Sequence, residues 1–236
     1  MPAGFFTLPV SRVTRETKDA VSISFDVPSL MASQYTYKAG QYLTFSIMIN
    51  GEEVRRSYSM CSSPLGDEEI TIAVKEVEGG KMSTYLNSQV KEGDVLDIMP
   101  PMGKFILEPD ANAANHYFLF GGGSGITPLY SIIKTALISE PNSKCYLVYA
   151  NRDEDSIIFK EQIDALEAAH DNFKVIHSLD KPKGAWMGHR GFLTKEKVSE
   201  IARQELGLNY PVAQYYTCGP SPMMDVVVEG LKTIGV

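Results

Sequence analysis

Gly121-Gly122-Gly123-Ser124-Gly125-Ile126-Thr127-Pro128 stands between a solid apolar run and a helical pattern. Glycines in that setting let backbone N–H groups approach a phosphate, and the helix terminus that follows favours negative charge. The stretch departs from G-x-G-x-x-G, because Ile126 stands where the third glycine would follow Gly121 and Gly123. It has no lysine for a P-loop, and no glycine two positions after Ser124 for a nucleophile elbow. A tight strand-to-helix turn would use the same residues, so taken alone the stretch leaves both uses open.

Arg55-Arg56-Ser57-Tyr58-Ser59-Met60-Cys61-Ser62-Ser63-Pro64 is a second candidate. On a strand lining a cleft, Arg56 and Tyr58 alternate onto one face and offer a fixed cation to a pyrophosphate and a ring to a flat heterocycle. Ser59 adds a hydrogen bond to a ring nitrogen. An ordinary edge strand would carry the same residues. Gly79-Gly80-Lys81-Met82-Ser83-Thr84 reads as a glycine turn entering a short helix, with N–H groups and a hydroxyl for phosphate, or as a plain hairpin turn. Cys218-Gly219-Pro220 leaves a thiol at a strand's carboxyl end, the edge that faces the ligand crevice in open α/β sheets. His116, His170, His177 and His189 lack metal or triad spacing and read as surface or loop residues, and Trp186 has no assigned role.

Two textures of sequence must position these groups. Up to about residue 108 apolar residues alternate, as in Val21, Ile23, Phe25 and Val27, then Leu43, Phe45, Ile47 and Ile49, then Ile70, Ile72 and Val74. Period two means strands buried on one face. Turn formers such as Asn50-Gly51, Gly79-Gly80 and Gly93-Asp94 interrupt them, the pattern of an antiparallel sheet closing into a small barrel or sandwich, with one short helix near 82–90. Beyond Glu108-Pro109-Asp110 the apolar runs become short and solid (117–120, 146–148, 173–176 and 214–217), and helical patterns intervene. Leu129, Ile132, Ile133, Ala136 and Leu137 share one helix face, with Thr127 as the expected N-cap and Pro128 as first residue. Ser221-Pro222 repeats the start signal near the C-terminus. The expectation is an all-β domain, barrel or sandwich, over residues 1–109, a parallel α/β domain over 110–236, and a ligand cleft between them.

Composition narrows the function. Lys+Arg 22 against Asp+Glu 29 gives a net charge of -7, so the attraction that nucleic-acid binders need has no global source. Three distant cysteines, Cys61, Cys145 and Cys218, suit a reducing compartment and offer no metal spacing. With neither a signal-like start nor an apolar run of about 18 residues, the expected setting is the cytoplasm, with no membrane partner.

Taken in order, the four segments resemble the ferredoxin-NADP reductase superfamily, with its R-x-Y-S, G-x-x-S, G-G-G-x-G-[IV]-[TA]-P and C-G-P motifs. The resemblance spans the chain and implies a flavin-binding antiparallel barrel followed by an α/β pyridine-nucleotide domain. It implies that Arg56 holds the FAD pyrophosphate, Tyr58 flanks the isoalloxazine and Ser59 bonds flavin N5. Ser57 and Val74 belong to the same set, and Gly80, Lys81, Met82 and Ser83 cradle the pyrophosphate. Gly123, Gly125, Thr127 and Pro128 take the nicotinamide nucleotide with Gly219, Pro220 and Met223, while Cys218 lies near nicotinamide C4. Ser59 and Cys218 are thus the expected catalytic pair.

The Met99–Phe105 segment resembles the family's G-P-x-G-x-F with its first glycine lost. Within the superfamily, Arg56–Pro64 and Tyr149-Ala150-Asn151-Arg152 are similar to the reductase components of the phenylacetyl-CoA oxygenase group, which continue into a [2Fe-2S] domain. C-x₄-C-x₂-C is absent here, and the chain stops at Thr233-Ile234-Gly235-Val236, where the family runs on into a final strand. The acceptor is therefore expected on another domain or protein. Asn151-Arg152 at the end of the second strand of this domain, with Ser178 after the third as a second phosphate donor, make NADPH the expected coenzyme ahead of NADH, an expectation that the adjoining Asp153, Glu154 and Asp155 weaken. The leading expectation is an FAD-dependent NAD(P)H oxidoreductase feeding a one-electron acceptor. The alternatives are a free-standing NAD(P)H:flavin reductase and a non-catalytic nucleotide-binding subunit.

Overall fold

The computed structural model describes residues 4–236. They form two units, the first made of the described residues up to Glu108 together with Tyr130–Thr135, the second of Pro109–Leu129 and Ala136–Val236.

The first unit holds a six-stranded sheet in the order β4-β3-β6-β1-β2-β5. Its strands are β1 (Phe6–Thr17), β2 (Ala20–Phe25), β3 (Tyr42–Ile49), β4 (Glu52–Ser59), β5 (Ile70–Lys75) and β6 (Val95–Met102). All pairings are antiparallel. Asn50 and Gly51, at φ 51° and 79°, make the tight turn between β3 and β4, where two left-handed residues match the twist of the strands they join. A lone antiparallel bridge between Met60 and Ile72, with Cys61 N–H donating to Thr71 O at 2.8 Å, joins the two edge strands and closes the barrel beside the end of β4. Leu43 and Phe45 point into the core with Ile47 and Ile49, as their alternation requires. β2 departs from the one-face expectation, because Ser22 and Ser24 are buried as well. Their hydroxyls are satisfied by Glu16 at 2.6 Å and Thr71 at 2.9 Å, so burial on both faces costs little. Helix α1 (Lys81–Ser88) buries Met82 and Leu86 against the barrel.

The second unit is a parallel sheet in the order β10-β9-β8-β7-β11. It comprises β7 (His116–Gly122), β8 (Lys144–Asn151), β9 (Phe173–Leu179), β10 (His189–Arg190) and β11 (Gln214–Cys218), with α2 (Ile126–Ser139), α3 (Lys160–Ala169), α4 (Lys195–Leu206) and α5 (Ser221–Lys232). Tyr117–Phe120 is buried throughout, which is why it reads as a solid apolar run rather than an alternating one. Chain order reverses between β7 and β11, and crevices form outside the carboxyl ends of strands at such a switch point. Helix α2 starts earlier than expected. Gly123–Gly125 forms a 3-10 turn that runs straight into Ile126, so Gly125 is the N-cap and Thr127 lies in the first turn, donating from Oγ1 to Ser124 O at 3.1 Å. Among the described residues no helix is long and apolar enough to cross a membrane.

Candidate functional site

In the first unit, β4 faces β3 with Tyr58 opposite Leu43 and Arg56 opposite Phe45. Pleating therefore puts Arg56 and Tyr58 on one face, and Ser57 and Ser59 on the other. Arg56 is exposed, with Nη1 donating to Arg55 O at 2.7 Å. Tyr58 packs edge-on against Phe45, with centroids 5.8 Å apart. Burial pushes its phenol up to about 12, against the lowering pull of Arg56, so it remains a neutral ring with a polar tip. Ser57 Oγ is 2.9 Å from Thr44 Oγ1, while Ser59 ends the strand half-buried.

The start of α1 lies beside β4, tied there by Lys81 Nζ donating to Glu52 Oε2 at 2.5 Å. A Cβ on Gly80 would meet Ser83 Oγ at 2.5 Å and Val77 O at 2.9 Å, so only glycine lets the chain turn so sharply into the helix. The first-turn amides have no intrahelical acceptor and suit a phosphate oxygen. Two side chains expected at the phosphate are committed elsewhere. Ser83 Oγ accepts from Val77 N at 3.1 Å and donates to Gly80 O at 3.2 Å, and Lys81 is held by Glu52. Met82 and Val74 are buried in the barrel, so their side chains serve packing. What fits an FAD diphosphate here is the Arg56 guanidinium with the backbone of Gly80–Ser83.

In the second unit the glycine stretch ends β7 and presses against the turn from β11 into α5. A Cβ on Gly125 would fall 2.1 Å from Cys218 O and 2.7 Å from Gly219 N. On Gly122 it would meet Met223 Sδ at 2.6 Å and Pro220 Cδ at 2.9 Å, and on Gly219 Met223 Cε at 2.8 Å. These residues, with Thr127 and Pro128 in the first turn of α2, are brought together at the switch point. Pro128 is tolerated there because its missing N–H has no intrahelical acceptor. Cys218 is half-buried, and burial raises its pKa, so the thiol stays protonated at neutral pH. It offers a compact, polarizable contact to a ring rather than a nucleophile. Thr217 Oγ1 beside it is buried without a hydrogen-bond partner.

Asn151 and Arg152 lie at and just beyond the end of β8, as expected. Ser178 does not supply a phosphate ligand. It is 1% exposed and donates to Gly191 O at 3.0 Å, because β10 pairs alongside β9 at that register and covers it. His177 corrects the surface assignment. It lies within β9 between Tyr149 and Trp186, with ring centroids 6.1 and 6.2 Å away, and burial lowers its pKa. His116 and His189 also lie in strands. Trp186 donates from Nε1 to His189 O at 3.1 Å and so pins its loop. Sequence reasoning named Tyr149 within a motif but missed its hold on the glycine turn. Its buried hydroxyl donates to Gly123 O at 3.0 Å and holds the glycine turn from below. Only its place in a strand beside β7 hints at that role.

Comparison with known proteins matches each unit to a domain family. The family described as oxidoreductase FAD-binding domain matches residues 7–106, and that described as oxidoreductase NAD-binding domain matches 119–229. The chain is 34% identical over 235 residues to a component of the 1,2-phenylacetyl-CoA epoxidase of Escherichia coli (strain K12), covering 98% of this chain and 65% of that one. It therefore spans just under two thirds of that relative. It is 31% identical to NADH-cytochrome b5 reductase 1 of Debaryomyces hansenii, covering 99% of this chain and 80% of that one. The solved ferredoxin NADP+ reductase of Neisseria gonorrhoeae with bound FAD and NADP shares the fold at a TM-score of 0.77 and 18% identity, over 99% of this chain and 92% of that one. With both domains matched and the fold shared, the chain belongs to the FAD- and NAD-binding oxidoreductases of the ferredoxin-NADP reductase superfamily.

Proposed function

We propose that this reductase passes electrons from NAD(P)H through FAD to an iron-sulfur domain or protein, as the reductase module of a multicomponent oxygenase of the phenylacetyl-CoA type. The relative from Escherichia coli supports the oxygenase part of this reading. FAD, when bound, supplies the step from two-electron to one-electron chemistry. The observation that carries the reading is the constellation on β4: an exposed guanidinium at Arg56 and a half-buried phenol at Tyr58 on one face, beside the amides that open α1. Arg56 neutralises the diphosphate, Tyr58 lies along the ring system, and Ser59, at the strand end, offers a hydroxyl to flavin N5. In the second unit the glycine turn binds the coenzyme diphosphate, and Cys218 holds the nicotinamide ring as a neutral thiol. With Cys61, Cys145 and Cys218 far apart in sequence, the iron-sulfur acceptor lies outside this sequence. The free thiols fit a reducing cytoplasm as the place of action.

A second reading, a flavin reductase that exchanges its flavin freely, is favoured by the commitment of Ser83 and Lys81 to protein partners. Equilibrium dialysis against FAD separates the two. The proposal expects retention of about one FAD per chain at micromolar concentration, and Arg56→Ala, which leaves a diphosphate charge unpaired, is expected to weaken it by about 1.5–3 kcal/mol, roughly 10- to 150-fold. Equal retention by the variant and the parent chain would remove Arg56 from the site. Weak, exchangeable flavin in the parent chain would favour the second reading.

A further inference from the structure

We propose that this chain selects NADH over NADPH, and that Asn151 and Asp153 at the carboxyl end of β8 make the selection. The inference rests on the reading that the coenzyme lies along the carboxyl edge of the parallel sheet. The loops leaving β8 and β9 run together there, with Asp180 N–H donating to Asn151 O at 3.0 Å and Lys181 N–H to Arg152 O at 2.7 Å. Next to the strand whose glycine turn takes the diphosphate, this edge is where the adenosine ribose of a dinucleotide falls.

Asn151 is 9% exposed, and its carboxamide oxygen has no hydrogen-bond partner. The neighbouring Tyr149 hydroxyl gives its proton to Gly123 O at 3.0 Å, so its oxygen can take the carboxamide N–H but offers nothing to Oδ1. A buried amide oxygen in this condition carries a free-energy cost until a ligand provides a donor. A ribose hydroxyl is one. A phosphate oxygen is an acceptor only, and leaves Asn151 Oδ1 facing like-signed charge.

The charges around Asn151 point the same way. Arg152, the cation available by sequence for a 2′-phosphate, donates from Nε to Asp153 Oδ2 at 3.1 Å. Asp153 Oδ1 has no donor, and a reciprocal capping box with Ser156 fixes the side chain. Lys183 pairs with Asp155, and its N–H donates to both Glu154 carboxylate oxygens at 3.0 Å. Arg190 Nη2 donates to Gly184 O at 3.2 Å, and Ser178 Oγ to Gly191 O at 3.0 Å. Asp153 and Asp180 thus bring negative charge to the ribose edge while the neighbouring donors are engaged within the protein. Lys181 is the exposed cation against which the idea must be tested.

Calorimetric titration of the whole chain with ADP-ribose and with 2′-phospho-ADP-ribose reads the selection without flavin or hydride transfer. ADP-ribose is expected to bind at least about tenfold tighter, because like-charge juxtaposition is expensive. Asp153→Asn keeps the cap and removes the charge, and is expected to narrow that ratio several-fold. Lys181→Ala is expected to change neither affinity. Equal or tighter binding of the phosphorylated fragment, or its selective loss in Lys181→Ala, would overturn the assignment, as would failure of both fragments to bind. Tenfold discrimination by a chain whose flavin neither coenzyme reduces would uphold this selection and remove the electron-transfer reading instead.

Discussion

Gly125→Ala is expected to abolish coenzyme binding and to lower the melting temperature of the second unit by about 6–12 °C, from a cost of about 3 kcal/mol. The added carbon falls 2.1 Å from Cys218 O, 2.4 Å from Cys218 C and 2.7 Å from Gly219 N. All three are backbone atoms at the end of β11, so no side-chain rotation relieves the clash. Either the start of α2 or the carboxyl end of β11 must move, and the crevice lies between them. Gly123→Ala is the matched control. At φ 52° it has no atom within 4 Å of the added carbon, so it carries only the left-handed backbone cost of about 1–2 kcal/mol. Calorimetric melting with ADP-ribose titration checks both. A Gly125→Ala chain that melts and binds like the parent would mean the close approach is not obligatory.

Glu140→Ala is expected to destabilise the second unit by about 3–5 kcal/mol while sparing the crevice. Glu140 is 0% exposed, at the C-cap of α2. Its carboxylate accepts from Tyr117 Oη at 2.8 and 3.0 Å, from Ser143 Oγ at 2.6 Å and from Asp110 N–H at 3.1 Å. Removing it strands a phenol, a hydroxyl and an amide in a dry site, each worth about 1–3 kcal/mol when left unmade. Burial is also the leading cause that holds the Tyr117 phenol high, with Glu140 next, so that hydroxyl remains a donor at every accessible pH. Tyr117 sits at the amino end of β7, the strand end opposite the glycine turn. Urea unfolding gives the stability change. An unchanged midpoint would show that water replaces the carboxylate without loss.

The elements were largely legible because their periods are unambiguous. Leu43, Phe45, Ile47 and Ile49 alternate into the barrel, and Leu129, Ile132, Ile133, Ala136 and Leu137 are all buried along α2. The glycine turn and the Cys218 turn were legible as motifs, and their pressing together follows from β11 pairing with β7. Less legible was anything set by cross-strand neighbours. Ser178 looked like a free hydroxyl because the short β10 that covers it has no apolar pattern. Tyr149 reaching Gly123, and Tyr117 reaching Glu140, join residues 26 and 23 positions apart through sheet geometry that composition does not encode. The helix start missed by two residues, because Thr127 is a good N-cap residue in isolation but here follows a 3-10 turn that had already begun the helix.

The central claim, that this chain accepts reducing equivalents from a nicotinamide coenzyme onto bound FAD, is tested most directly by the anaerobic visible spectrum of the FAD-loaded protein. Stoichiometric NADH is added in one cell and NADPH in another. Rapid loss of the flavin absorbance, faster with NADH, is the predicted result. A yellow protein whose spectrum neither coenzyme changes would contradict the account.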